Sequence, residues 1–145
     1  METIYKTGKA KAIGVSNYTI EQLEEMKTYS NTPPAVNQIE FHPFLYRKEL
    51  MDYCHENNIA VEDYCPLSRG KKINDERITA IAAKYNKTNA QVMLRWALQH
   101  GNIVIPKSVH EERIRENIDV FDFELTEEDM NRMDVLNENY HVVSS

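Results

Sequence analysis

The sequence predicts an α/β fold built on a parallel sheet, and three observations carry that prediction. Short β-branched runs alternate with longer helical patterns about four times along the 145 residues, the signature of strands joined by right-handed helical crossovers. Three of the four strand candidates are continuous or nearly continuous apolar runs, as in parallel strands covered on both faces. The length supplies the third: a closed eight-stranded barrel needs ~250 residues, so four βα units make about half of one. On pattern alone a small doubly wound sheet remains open.

The elements follow in order. Strands are expected at 12–15, 35–39, 59–62 and 103–105. Thr19-x-x-Gln22 reads as a capping box before Leu23 and Met26. Pro43 precedes a helical stretch whose apolar face is Leu50, Met51, Tyr53 and Cys54, stopped at Asn57-Asn58. After the third strand come a helix carrying Ile78, Ile81, Ala82 and Tyr85, and another opened by Thr88-x-x-Gln91 and ended at Gly101. Ser108-x-x-Glu111 is expected to open a helix with Ile114 and Ile118, and Thr126-Glu127-Glu128 a last one with Met130, Met133 and Leu136.

Composition narrows the function classes. Hydrophobic residues are 41% and charged residues 28%, enough apolar material for a core. No low-complexity linker interrupts the chain, so residues 1–145 read as one unit. The net charge of -6 argues against a nucleic-acid partner and offers no basic stripe to an anionic membrane. No apolar run approaches the ~18 residues of a membrane span, and the N-terminal residues lack the apolar stretch of a secretory signal. The two cysteines, Cys54 and Cys65, form neither a C-x-x-C pair nor a disulfide framework. Reduced thiols and a cytoplasmic location are expected. The five histidines show no metal-ligand spacing, so no metal site is expected. Glu40 and Glu62 are read as structural carboxylates, and the acidic run from Thr126 to Asp129 as a helix start suited to the dipole.

A dinucleotide held by an open sheet would call for G-x-G-x-x-G. The only glycines are Gly8, Gly14, Gly70 and Gly101, and none are so spaced. A bound phosphate would have to be held by side chains. The end of the last strand concentrates the suitable ones: Lys107, Ser108 and, within the first turns of the next helix, Arg113. A helix N-terminus and a guanidinium both favour an anion. The same residues also read as a helix N-cap at Ser108 and a solvated charge at Lys107.

Several longer segments occur in order: Ala12-Ile13-Gly14-Val15-Ser16-Asn17, Val36-Asn37-Gln38-Ile39-Glu40-Phe41-His42-Pro43, Tyr64-Cys65-Pro66-Leu67 and Ile105-Pro106-Lys107-Ser108-Val109. With Glu112-Arg113-Ile114, Glu116-Asn117 and Phe121-Asp122-Phe123-Glu124-Leu125, they resemble the second half of aldo-keto reductases, from about Lys9 to Leu136. The resemblance implies the C-terminal half of a (β/α)8 TIM barrel that binds NADPH, with NADH as an alternative, across the C-terminal ends of its strands. By this resemblance Ser16, Asn17 and Gln38 hold the nicotinamide carboxamide and Tyr64 stacks on the ring. Cys65, Pro66, Leu67 and Ser68 form the loop beneath the pyrophosphate. Ile105, Pro106, Lys107, Ser108, Val109 and Arg113 carry the clamp on the 2′-phosphate, and Glu116 and Asn117 meet the adenine.

Departures from the family pattern are also visible. Cys65 and Ser68 stand where serine and glycine are usual, and Glu111 stands where proline is frequent, placing a negative charge near the 2′-phosphate. The loop 68–75 and the tail after Asn137 are short, which suggests an open pocket for small carbonyl compounds. The resemblance further implies that the tyrosine, lysine, aspartate and histidine of carbonyl reduction precede the strand at Ala12. No catalytic residue is therefore expected in this chain, which is read as a truncated or split reductase, inactive alone. Its expected partners are a small carbonyl substrate in the complete enzyme and a second half barrel or a second copy at its exposed sheet edges. The alternatives are a non-catalytic NADP-binding regulatory half barrel and an inactive remnant.

Overall fold

Four strands, β1 (Val15–Ser16), β2 (Val36–Glu40), β3 (Ala60–Tyr64) and β4 (Ile103–Val104), form one sheet in the order β1-β2-β3-β4. Among the described residues seven α-helices accompany them: α1 (Glu2–Lys6), α2 (Ile20–Met26), α3 (Lys48–Glu56), α4 (Glu76–Tyr85), α5 (Asn89–Gln99), α6 (Glu111–Ile118) and α7 (Glu127–Asp134). This is a computed structural model, and it describes residues 1–143; the last two residues of the expected 1–145 unit lie outside the described residues. Two compact units are distinguishable, residues 1–39 with 47–62, and residues 40–46 with those from 63 onward. No helix among the described residues is long and apolar enough to cross a membrane.

In the first unit β1 runs parallel to β2, with Val15 opposite Asn37 and Ser16 opposite Gln38. The strand expected at 12–15 is thus displaced toward its C-terminal end, although Ala35 N–H still donates to Ile13 C=O at 2.8 Å. Gly14 explains the close approach: a Cβ there would lie 2.3 Å from Val36 Cγ1 and 2.7 Å from the Val36 carbonyl oxygen. The capping box is present, Thr19 Oγ1 accepting from Gln22 N–H and Gln22 Oε1 from Thr19 N–H. It aims Leu23 and Met26 inward, where both are buried. Helix α3 starts at Lys48, well beyond Pro43. Asn57 caps it, and Asn58 turns the chain at φ 57° into β3.

In the second unit α4 and α5 carry the core. The fully buried Trp96 stacks on Phe41 at 5.1 Å between ring centroids. A buried indole N–H needs a partner, and Trp96 Nε1 finds Asp134 Oδ1 at 2.7 Å. Thr88 and Gln91 make the second expected capping box. Gly101, at φ 83°, takes the left-handed turn that releases the chain from α5 into β4. Strand β3 extends to Tyr64, past the expected end at Glu62. Its Asp63 is fully buried and accepts from Asn102 Nδ2 at 3.1 Å on both carboxylate oxygens. That pairing satisfies the buried carboxylate and lets the strand continue through Asp63.

Two expectations about α6 fail. The helix begins at Glu111 with His110 as N-cap and no side-chain cap, so Ser108 is not the capping residue. Its Oγ instead accepts from His110 N–H at 3.1 Å, closing a turn before the helix starts. Ile114 and Ile118, expected as a core face, are 53% and 70% exposed. Helix α7 does begin as expected, with Thr126 Oγ1 accepting from Asp129 N–H.

Candidate functional site

Each unit brings together part of the expected residue set. In the first, Ser16 and Asn17 leave β1 beside Gln38 of β2. Asn17 is left-handed at φ 58°, a conformation asparagine tolerates better than most residues, and its N–H donates to Gln38 C=O at 2.9 Å. Ser16 Oγ donates to the same carbonyl at 3.0 Å. The buried Asn37 holds the loop from behind: its Nδ2 donates to Tyr18 C=O at 3.0 Å, and its Oδ1 accepts from Tyr18 N–H at 3.3 Å. Three polar residues predicted to act together are therefore fixed at one place, with their backbone groups already bonded.

In the second unit a cavity of about 550 Å³ opens at the end of β4. Lys107, Ser108, Arg113, Glu116, Asn117 and Leu67 line it, joined by Arg69 and Gly70. Lys107 comes from the segment after β4, and Arg113, Glu116 and Asn117 from successive turns of α6. Among the described residues Lys107 and Arg113 form no ion pair, so both cations are available to a ligand. Glu116 is already engaged, its Oε1 accepting from the Thr88 hydroxyl. Three cationic groups against one committed carboxylate make this a local positive concavity on an acidic chain, the charge complement of a phosphate.

The loop from β3 shapes the opposite rim. Cys65, Ser68, Arg69 and Gly70 all have positive φ, at 52°, 47°, 50° and 76°. Outside glycine such angles cost about 1–3 kcal/mol each and persist only where surroundings enforce them. Here the turn is closed by Ser68 N–H to Cys65 C=O and Gly70 N–H to Leu67 C=O, each 2.8 Å. The result turns Ser68 inward, fully buried, with its Oγ accepting from Lys72 N–H at 3.4 Å.

Not every expected residue reaches the cavity. Leu67 lines it, whereas Tyr64, Cys65, Pro66 and Ser68 do not. Ile105 is 41% and Val109 81% exposed, both outside it. Pro106 joins Leu98, Val104, Ile114, Ile118 and Phe121 around an apolar groove on α6 instead. Arg69, directly after the loop at 65–68, also lines the cavity, although no motif marks it.

The sequence profile of the Aldo/keto reductase family matches residues 1–138. The chain is 53% identical over 142 residues to "Uncharacterized oxidoreductase YtbE" of Bacillus subtilis and 51% identical over 142 residues to "Glyoxal reductase" of the same organism. Each alignment covers 98% of this chain and 51% of the relative, so the chain spans about half the length of these proteins. Among solved structures, MGS-M4, an aldo-keto reductase from a Medee basin deep-sea metagenome library, superposes with a TM-score of 0.94 at 42% identity, over 99% of this chain and 54% of that one. The Bombyx mori aldo-keto reductase AKR2E4, solved in complex with NADP, gives 0.92 at 36% identity, over 99% and 50%. The parallel sheet and its helices thus correspond to part of a (β/α)8 barrel, and the chain belongs to the aldo/keto reductase family.

Proposed function

We propose that this chain is the cofactor-holding portion of an NADPH-dependent reductase of small aldehydes and ketones. The observation that carries the proposal is the positive cavity after β4, where Lys107, Arg113 and Arg69 surround Ser108 and Asn117. Its charge and its volume of about 550 Å³ suit the 2′-phosphate end of the cofactor, with Lys107, Ser108 and Arg113 holding the phosphate and Glu116 and Asn117 facing the adenine. Ser16, Asn17 and Gln38 hold the nicotinamide carboxamide in this reading. Tyr64 stacks on the ring, and the turn from Cys65 to Ser68 supports the pyrophosphate. When bound, the cofactor supplies a hydride for a carbonyl carbon. That relatives include an NADPH-complexed aldo-keto reductase and a glyoxal reductase supports both cofactor and substrate class.

The groups that would protonate the carbonyl oxygen are assigned, in this proposal, to other strands of the barrel. The chain alone is therefore expected to bind cofactor without turning over aldehyde. The rest of the barrel, or a second copy, would cover the exposed Ile114 and Ile118 on α6, and the cytoplasm is the proposed location. Fluorescence titration with NADPH, run beside an aldehyde-reduction assay, tests the proposal. Saturable binding that weakens ~10–100-fold in Arg113→Ala, with NADH binding nearly unchanged, is the expected result. Absence of NADPH binding would leave only a fold remnant.

A further inference from the structure

Gln38 and Glu62 lie side by side on β2 and β3, both half-buried, and Gln38 Nε2 donates to Glu62 Oε1. A carboxylate can only accept hydrogen bonds, whereas a glutamine amide has one donating and one accepting end. The contact therefore decides which end is which. The nitrogen must face Glu62, and Oε1 must face away from it. The hydroxyl of Ser16, in register with Gln38 on β1, spends its proton on the Gln38 backbone carbonyl and does not compete for this oxygen.

We infer that Glu62 is a positioning residue that presents Gln38 as an obligate hydrogen-bond acceptor, so that the site selects a ligand head bearing N–H donors, a primary carboxamide, over one bearing a carboxylate. The inference rests on the proposed cofactor site and deepens it. Without an acceptor-only neighbour the Gln38 amide could rotate and offer either end. With Glu62 in place, a carboxylate head would meet the Gln38 carbonyl oxygen and the Glu62 charge together, two acceptors with no proton to share. A site built around one polarity rejects the opposite one more strongly than a shape-matched apolar pocket would.

Two measurements on the full chain test this. In ¹⁵N-labelled protein, the side-chain amide of Gln38, assigned through Gln38→Glu, should show a downfield, slowly exchanging proton that is lost in Glu62→Leu, which removes the acceptor. Glu62→Ala serves as a second variant if Glu62→Leu folds poorly. In binding assays with NADP⁺ and its nicotinic-acid counterpart, the wild type should prefer the carboxamide by at least ~10-fold more than Glu62→Leu does, a factor equivalent to about 1.4 kcal/mol. Gln38 amide protons that behave as solvent-exposed in the wild type would overturn the inference, as would equal discrimination in wild type and Glu62→Leu. If neither dinucleotide binds the wild type, the cofactor reading is what fails, and the Gln38 amide signal alone decides the role of Glu62.

Discussion

The backbone N–H of Val142 donates to the carboxylate of Glu40 at 2.7 Å, with Glu40 only 2% exposed. Val143 N–H follows on the other oxygen at 3.3 Å. The neighbouring His42 contacts Glu40 Oε1 through Nε2 at 3.2 Å, but burial holds its imidazole pKa below the ordinary histidine value. Two tail amides thus donate to this buried carboxyl group, with His141 Nδ1 4.0 Å from Oε2. The same segment is pinned upstream by Glu138 N–H and Tyr140 N–H on the Phe44 carbonyl, at 3.1 and 2.9 Å. Lys72 and Arg77 hold the Glu138 carboxylate at 2.8 and 2.7 Å.

Removing half of that carboxylate should free the tail. In Glu40→Gln one tail amide faces an NH2 group instead of an acceptor, and an unsatisfied buried donor costs about 1–3 kcal/mol. Carboxypeptidase should then remove residues as far as Tyr140 at least ~5-fold faster than in the wild type. Amide exchange at Val142 and Val143 should accelerate in parallel, with the exchange of α5 unchanged.

Gly14→Ala should destabilise the first unit. The added Cβ overlaps both the Val36 side chain and its carbonyl oxygen, and the backbone oxygen cannot move without parting β1 from β2. Forced overpacking of this kind costs about 1–3 kcal/mol. The urea midpoint should fall accordingly, and Val36→Ala in the same chain should restore it only in part, because the carbonyl clash remains.

Arg69 adds a testable contact at the rim of the positive cavity. Arg69→Ala should weaken NADPH binding by ~3–10-fold, less than Arg113→Ala, and should flatten its salt dependence. Titrations at low and high salt measure both effects, and NADH provides the reference lacking the 2′-phosphate.

Acid should weaken the second unit through Asp129. Burial pushes its carboxyl up, but hydrogen bonds from Lys84 and Tyr85, the Lys84 charge and the Thr126 hydroxyl together outweigh burial and hold it below its ordinary value. Lys84 Nζ and Tyr85 OH both lie at 2.7 Å. A lowered folded-state value means that the stabilisation is complete above the unfolded carboxyl's pKa of about 3.9 and is lost as pH falls through the folded value. Asp129→Asn should therefore be less stable than wild type at pH 7 by about 1–2 kcal/mol. The gap should close as pH falls through the lowered folded value, as thermal melts carried into acid can show.

Legibility in the sequence followed the range of the interactions involved. Thr19 with Gln22 and Thr88 with Gln91 were readable because a capping box is made by residues three apart. The same spacing misled at Ser108 and Glu111, because the chain spends residues 107–110 turning at the end of β4 before α6 can begin. Strand β3 outran its expected end because Asp63 is neutralised as a hydrogen-bond problem by Asn102, 39 residues later. Arg69 entered the cavity through a run of left-handed residues that no local pattern announces.

By itself the sequence determined the α/β class, the order of its elements, the family and most of the residues that gather after β4, because apolar periodicity, caps and long ordered motifs are local properties of the chain. The tertiary structure decided what those residues can do. It showed that Ile114 and Ile118 stay exposed despite their helical spacing, that Ser68 turns inward, that Glu40 binds the tail, and that Gln38 Nε2 meets the Glu62 carboxylate. The last two depend on which donor meets which acceptor across distant parts of the chain, and only folding brings such groups within hydrogen-bonding distance.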